Sequence, residues 1–191
     1  MATRNVLLIV DMITPWDYEG AEDTAVRAQE AIQAINRLRD EAGPAVRVVF
    51  ANDMEGFHGS RETTFSQALA GRHPELIEPL EPRPSDDFIH KGQHSAFYGT
   101  PLAHLLDVHD VENVIIAGQV TEQCILYTAL DCHVRGYRPT IVSDGVLAQR
   151  TDLGNAALEM IEQNMAGRLM TSTEIARELR TARGADGTSG P

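Results

Sequence analysis

The chain has 191 residues, 42% of them hydrophobic and 23% charged, which suits one compact domain with a sizeable core. Its formal charge of −12 excludes the basic face that nucleic acid requires and disfavours an anionic membrane surface. It favours a neutral or cationic small molecule as partner, and no apolar run approaches the roughly 20 residues of a membrane span.

The chain opens on MATRNVLLIVDM, one Arg followed by an apolar run that is too short for a signal peptide and ends at Asp11. It reads as a first strand, NVLLIV over 5–10, in a cytoplasmic protein. Residues 22–40 place Val26, Ile32, Ile35 and Leu38 near helical spacing, and Gly43-Pro44 ends that helix. AVRVVFA is a second strand, DDFIHK a short third, NVIIAG a fourth and RPTIVSD a fifth. Helical patterns fall at about 99–108, 122–135 and 151–165. AGRLMT gives a sixth strand, and STEIARELRTA a last helix capped by Ser172 or Thr173. Apolar strands alternating with helices predict a three-layer, Rossmann-like α/β domain over residues 1–183, with a mainly parallel six-stranded sheet covered on both faces. Residues 53–85 are a longer connection than the fold needs and read as a lid or insertion loop. Residues 184–191 read as a flexible tail.

Ligands of open parallel sheets bind where the strands end. The first strand ends at Asp11, the second at Asn52-Asp53, the third at Lys91 and the fifth at Ser143-Asp144. The fourth leads to Gly118 and, six residues on, to Cys124. An acid, a base and a thiol, far apart in sequence, thus converge on one edge of the sheet. At the first turn of a helix, unpaired N–H groups, the helix dipole and a nearby Lys91 would lower the Cys124 pKa toward a thiolate. Asp11 could accept the thiol proton and return it to a leaving group, and backbone amides at the helix entrance could hold an oxyanion. Trp16 lies in the loop leaving the first strand and offers a flat wall for a small substrate. Phe97, Tyr98 and Gln119 would complete the walls, with Asn52 as a polar contact. Cys132, eight residues along the same helix, sits about 12 Å from Cys124 by the helical rise, too far for a disulfide, and reads as a core residue. The sequence has no GxSxG elbow, P-loop or GxGxxG.

LLIVDM with Trp16 nearby, HKGQHSAFYGTPL and VIIAGQVTEQCILYTALDCHVRGY together resemble the isochorismatase-like cysteine hydrolase superfamily, over about residues 5–171. The resemblance implies a doubly wound sheet in the order 3-2-1-4-5-6 and a catalytic triad at Asp11, Lys91 and Cys124. It also implies a non-proline cis peptide between Val120 and Thr121, and an oxyanion hole made by the Thr121 and Cys124 amides. Departures from relatives narrow the activity. Isochorismatases proper lack the nucleophilic Cys, so vinyl-ether hydrolysis does not fit. Nicotinamidases carry an Asp followed by two His after the second strand; here Asp53 is followed by Met54 and Glu55, with only His58 near, so no metal or other cofactor is expected. His90 and His94 straddle a strand end and are not read as a metal pair.

The activity so implied is hydrolysis of an amide or C–N bond through a thioester. GQVTEQC together with an acidic loop looks most like streptothricin hydrolases, which open the lactam of a cationic antibiotic. Residues 53–87 hold eight Asp or Glu against three Arg, in line with a cationic substrate. N-carbamoyl or ureido acids and simple amides are the alternative substrates, and a non-catalytic binding protein of the same fold is the alternative of another class. Family resemblance further implies a homodimer or larger assembly.

Overall fold

The computed structural model describes residues 4–18, 20–53 and 59–186. Six strands, β1 (Asn5–Val10), β2 (Arg47–Asp53), β3 (Asp87–Lys91), β4 (Asn113–Gln119), β5 (Arg138–Leu147) and β6 (Arg168–Met170), form one sheet in the order 3-2-1-4-5-6. Every strand pairing is parallel. Among the described residues, seven α-helices connect and cover the strands: α1 (Ala21–Ala42), α2 (Arg61–Leu69), α3 (Pro74–Ile77), α4 (Leu102–Val108), α5 (Leu126–Val134), α6 (Thr151–Asn164) and α7 (Ser172–Asp186). Among the described residues, no helix is long and apolar enough to cross a membrane.

The strand period of two divides the core. On β1, Leu7 and Ile9 pack into one cluster with Ile35 and Leu38 of α1 and Ile175 and Leu179 of α7. Val6, Leu8 and Val10 face the other way, onto Leu106 of α4, Ala129 of α5 and Ile161 of α6. Each fully buried Leu, Ile or Val contributes about 1.5–3 kcal/mol. A continuous apolar strand is the sequence form of such two-sided burial.

Several expectations shift in detail. On α1 the buried face runs through Ala25, Ala28, Ile32 and Ile35, while Val26 is 79% exposed, one position off the stripe. The α7 cap is Thr171, not Ser172 or Thr173. Its hydroxyl accepts from the Glu174 N–H (3.3 Å), and the Glu174 carboxylate accepts from the Thr171 N–H (2.8 Å), a reciprocal capping box. Residues 184–186, expected in the tail, continue α7, and residues 187–191 lie outside the described residues. Within the expected lid, 54–58 also lie outside them; beyond it, α2, α3 and a short 3-10 turn over Glu78–Leu80 build a packed segment. The Ser60 hydroxyl caps α2 by accepting from the Thr63 N–H (3.2 Å).

One glycine sets the approach of the two central strands. Gly118, paired with Val10, has φ +117°, and a Cβ there would stand 2.0 Å from the Val10 carbonyl oxygen. Only glycine fits both the conformation and the space.

Candidate active site

The ends of β1, β2, β3 and β4 bring Asp11, Asp53, Lys91 and Cys124 together. Lys91, the only lysine in the sequence, is fully buried. Its Nζ lies 2.8 Å from Asp11 Oδ2, 2.5 Å from Asp53 Oδ1 and 3.2 Å from the Gln93 carbonyl oxygen. The Cys124 Sγ is 3.6 Å from the same Nζ. Asp11 follows β1 in a left-handed conformation, φ 52°, uncommon for a non-glycine residue. That turn lets its Oδ1 accept from the Asp53 N–H at 2.9 Å while its own N–H donates to the Ala51 carbonyl, also at 2.9 Å. The carboxylate is thereby locked beside the ammonium rather than free to rotate.

Charge and burial set the protonation of the cluster. Burial, joined by the charge of Asp53, pushes Asp11 up to about 6, against the opposing pull of Lys91. Lys91 lies well above the ordinary lysine value: burial opposes its charge, but Asp11 and Asp53 more than offset that. Burial and the Asp11 charge push the Cys124 thiol up to about 12. This corrects the expected lowering of its pKa. At neutral pH the site holds a protonated thiol hydrogen-bonded to an ionised Asp11, with Lys91 as counter-ion. Asp11 is therefore a carboxylate with an affinity for protons raised toward neutrality, which suits acceptance and return of one proton.

Cys124 sits in a wide π-helical turn over Thr121–Ile125 that leads into α5. The Gln123 N–H (3.0 Å) and the Ile125 N–H (3.2 Å) both return to the Val120 carbonyl. The cis peptide joins Gln119 to Val120, one residue before the expected Val120–Thr121 bond. Nothing in a single sequence distinguishes these two adjacent positions.

The thiol opens onto a cleft of about 240 Å³. Ile13, Tyr18, Asn52, Gln119, Thr64, Gln67, His94 and Gln149 are among the residues that line it. Of the expected substrate contacts, Asn52 and Gln119 line this cleft; Trp16, Phe97 and Tyr98 do not. Trp16, with φ 54°, turns inward and is fully buried in the core cluster of α1. Tyr18 takes the wall position instead. Its hydroxyl donates to Gln119 Oε1 (3.2 Å), and Gln119 Nε2 donates to the Asp11 carbonyl (2.7 Å), bracing the loop that carries the carboxylate. Phe97 is diverted because Ser95 and Ala96 are pinned to α5, by Ser95 Oγ to Asp131 (2.5 Å) and the Ala96 N–H to Thr128 Oγ1 (3.0 Å). It stacks on Tyr137 at 6.0 Å, and Tyr98 is 66% exposed.

His90 and His94 serve separate neighbours. His90 Nε2 meets Thr64 Oγ1 at 3.0 Å, fixing α2 over the cleft. His94 Nδ1 lies 3.8 Å from the Cys124 sulfur, and its ring stacks on Tyr127. Among the described residues no three His, Cys, Asp or Glu side chains converge in a metal-binding group. His58 lies outside them. Cys132 is fully buried in the cluster beneath α5, and burial raises its pKa. Sequence reasoning missed Tyr18, Gln67, Gln149 and the direct contact of Asp53 with Lys91. Only the acidic residue at the β2 end offered a signal for the last of these.

The chain is 30% identical over 171 residues to the uncharacterized isochorismatase family protein YaaI of Bacillus subtilis, covering 88% of this chain and 94% of that protein. It is 34% identical over 142 residues to the streptothricin hydrolase of Streptomyces noursei, covering 72% of this chain but only 52% of that enzyme. Among solved structures, a cysteine hydrolase from Pseudomonas syringae pv. phaseolicola superposes with a TM-score of 0.76 at 23% identity, covering 95% of each chain, a likeness of fold. The Isochorismatase domain family matches residues 5–174, and the chain belongs to that family.

Proposed function

We propose that the protein is a cysteine amidohydrolase that cleaves an amide or related C–N bond of a small molecule through a thioester on Cys124. The observation that carries this is the junction at the cleft floor: a thiol hydrogen-bonded to a carboxylate whose pKa is about 6, with a buried ammonium 3.6 Å from the sulfur. As Sγ attacks the substrate carbonyl carbon, Asp11 takes the thiol proton. The amides of Cys124 and Val120 receive the oxyanion of the tetrahedral intermediate; Val120 lines the cleft, whereas the expected Thr121 is buried and does not. Collapse breaks the C–N bond, and the Asp11 carboxyl returns its proton to the departing nitrogen. Water then attacks the thioester and gives a proton to Asp11; the C–S bond breaks, and that proton restores the thiol. Lys91 stays protonated throughout and holds Asp11 in place. The mechanism assigns no role to a metal, because the Asp53 carboxylate is engaged by Lys91 at 2.5 Å.

For the substrate, the lactam of a streptothricin-type cationic molecule is the first reading. The relative named a streptothricin hydrolase and the net charge of −12 support it. Simple amides and ureido compounds come second; a maleamate amidohydrolase of Pseudomonas putida is 31% identical over 105 residues, about half of each chain. Both cysteines are free thiols, which suits a reducing compartment such as the cytoplasm. An exposed stripe on α5, Tyr127, Leu130 and Val134, supports at least a homodimer, which light scattering on the purified chain checks.

The test is a screen of amides, ureido acids and streptothricin-type lactams, reading ammonia release and mass change, run beside Cys124→Ala. Cys124→Ala should lose all turnover and keep its melting temperature. Turnover at the parental rate in Cys124→Ala would disprove the thioester.

A further inference from the structure

We propose that this cleft selects uncharged or cationic substrates and rejects carboxylate-bearing amides, with Asp53 and Asn52 as its specificity-determining groups. The inference rests on the amidohydrolase reading and deepens it.

Asp11, Asp53 and Lys91 together carry one net negative charge at the cleft floor, and the sequence has no second lysine to offset it. Among the described residues no arginine lines the cleft. Arginines close to cleft residues in sequence are committed elsewhere: Arg61 to Glu62 (3.3 Å), Arg72 to Glu22 (3.8 Å) and Arg150 to Asp152 (2.7 Å). Residues 54–58, Met-Glu-Gly-Phe-His, contain neither Lys nor Arg. A substrate carboxylate would therefore meet two carboxylates with Lys91 already engaged by both.

The second observation concerns hydrogen bonding. Asn52 is 2% exposed and lines the cleft; its Nδ2 donates to the Ile13 carbonyl at 2.9 Å, while its Oδ1 has no partner. An unpaired buried acceptor is costly, and a donor brought by a ligand relieves it. Asp53 gives Oδ1 to Lys91 and keeps a side chain that is 69% exposed and reaches the same cleft. Both groups accept and neither donates toward the ligand. A substrate that presents N–H groups or an ammonium satisfies them, whereas a carboxylate satisfies neither.

The first test reads the cleft through its own thiol. Cys124 in the full-length protein is labelled with a trimethylammonium-bearing and a sulfonate-bearing thiosulfonate reagent, and rates are taken from the mass of the Cys124 peptide. The cation-to-anion rate ratio should exceed the ratio for glutathione by about tenfold or more, and should shrink with added salt. Asp53→Asn should reduce the excess, whereas Glu178→Gln, remote on α7, should leave it. A ratio no greater than that of glutathione overturns the proposal. The second test uses three amides of equal length: an ω-amino amide, a neutral alkyl amide and a dicarboxylic monoamide. The first two should exceed the third by about tenfold in kcat/KM. A preference for the monoamide, lost in Cys124→Ala, overturns the charge selection and leaves the hydrolase reading standing. Cation-selective labelling without Cys124-dependent turnover of any amide supports the charge selection and removes the hydrolase reading.

Discussion

If Asp11 is the base, the pH dependence of kcat/KM reports its ionisation in the free enzyme. Asp11 must be ionised to take the thiol proton, so activity should be fully present above about pH 6 and fall about tenfold for each unit below it. The thiol, held up to about 12, should add no limb near the ordinary cysteine value. Two substitutions then move the limb in opposite directions. Asp53→Asn removes a negative neighbour that raises Asp11, so the limb should move to lower pH. Both carboxylates touch one ammonium, which places their oxygens no more than about 5 Å apart. At that distance and an effective dielectric of about 20 the repulsion is about 3 kcal/mol; the exposure of Asp53 cuts this to about 1, or somewhat under one pH unit. Lys91→Met removes the ammonium that lowers Asp11, so the limb should move up, alongside a loss of about 3–5 kcal/mol for unpairing buried charge. The assay is initial rate at limiting substrate over about pH 4–9, with melting curves for each variant. A parental limb at the ordinary carboxylate value, or limbs that move the same way in both variants, would refute the assignment of Asp11 as base.

Trp16→Ala should cost about 3–5 kcal/mol and lower the melting temperature by about 10 °C or more, because the indole is fully buried; calorimetry checks this. Its kcat/KM, per folded molecule, should stay within a few fold of the parent, since Tyr18 and not Trp16 lines the cleft. Gly118→Ala should cost about 2–5 kcal/mol, combining a disfavoured positive φ with a Cβ driven onto the Val10 carbonyl, and a melting temperature within 2 °C of the parent would contradict it. Dialysis against a strong chelator should leave turnover unchanged; loss restored by zinc or iron would return a metal to the mechanism.

The sequence carried the fold because the pattern that reports it is long. Six strands, the central ones apolar and buried on both faces, alternate with amphipathic helices, and the pattern survives local noise such as the outward Val26. It also carried Asp11, Lys91 and Cys124, because strand ends are places that topology alone brings together. What it could not carry were backbone turns. Asp11 and Trp16 both adopt left-handed conformations, which Asp visits only at some positions and Trp rarely, and those two residues decide which aromatic of the loop faces the cleft. The thiol pKa failed for a related reason. A helix start and a lysine lower it in isolation, but the structure adds burial and a carboxylate, and those two outweigh the others.

In the proposed reaction Asp53 would tie the chemistry to the selectivity. Its carboxylate holds Lys91, and its charge helps to keep Asp11 near 6 instead of the ordinary value near 4. The same charge is what a substrate meets at the cleft wall. A change at this position that welcomed anionic amides would therefore also make Asp11 a weaker base and loosen the clamp on Lys91. Gains in carboxylate recognition should come more readily at Gln67 or Gln149, which line the cleft outside the Asp11–Asp53–Lys91 contacts. In the monoamide series, Gln67→Arg should raise kcat/KM for the dicarboxylic monoamide while the pH limb stays at about 6. A limb displaced by as much as in Asp53→Asn would mean that positions 67 and 53 are not electrostatically separable.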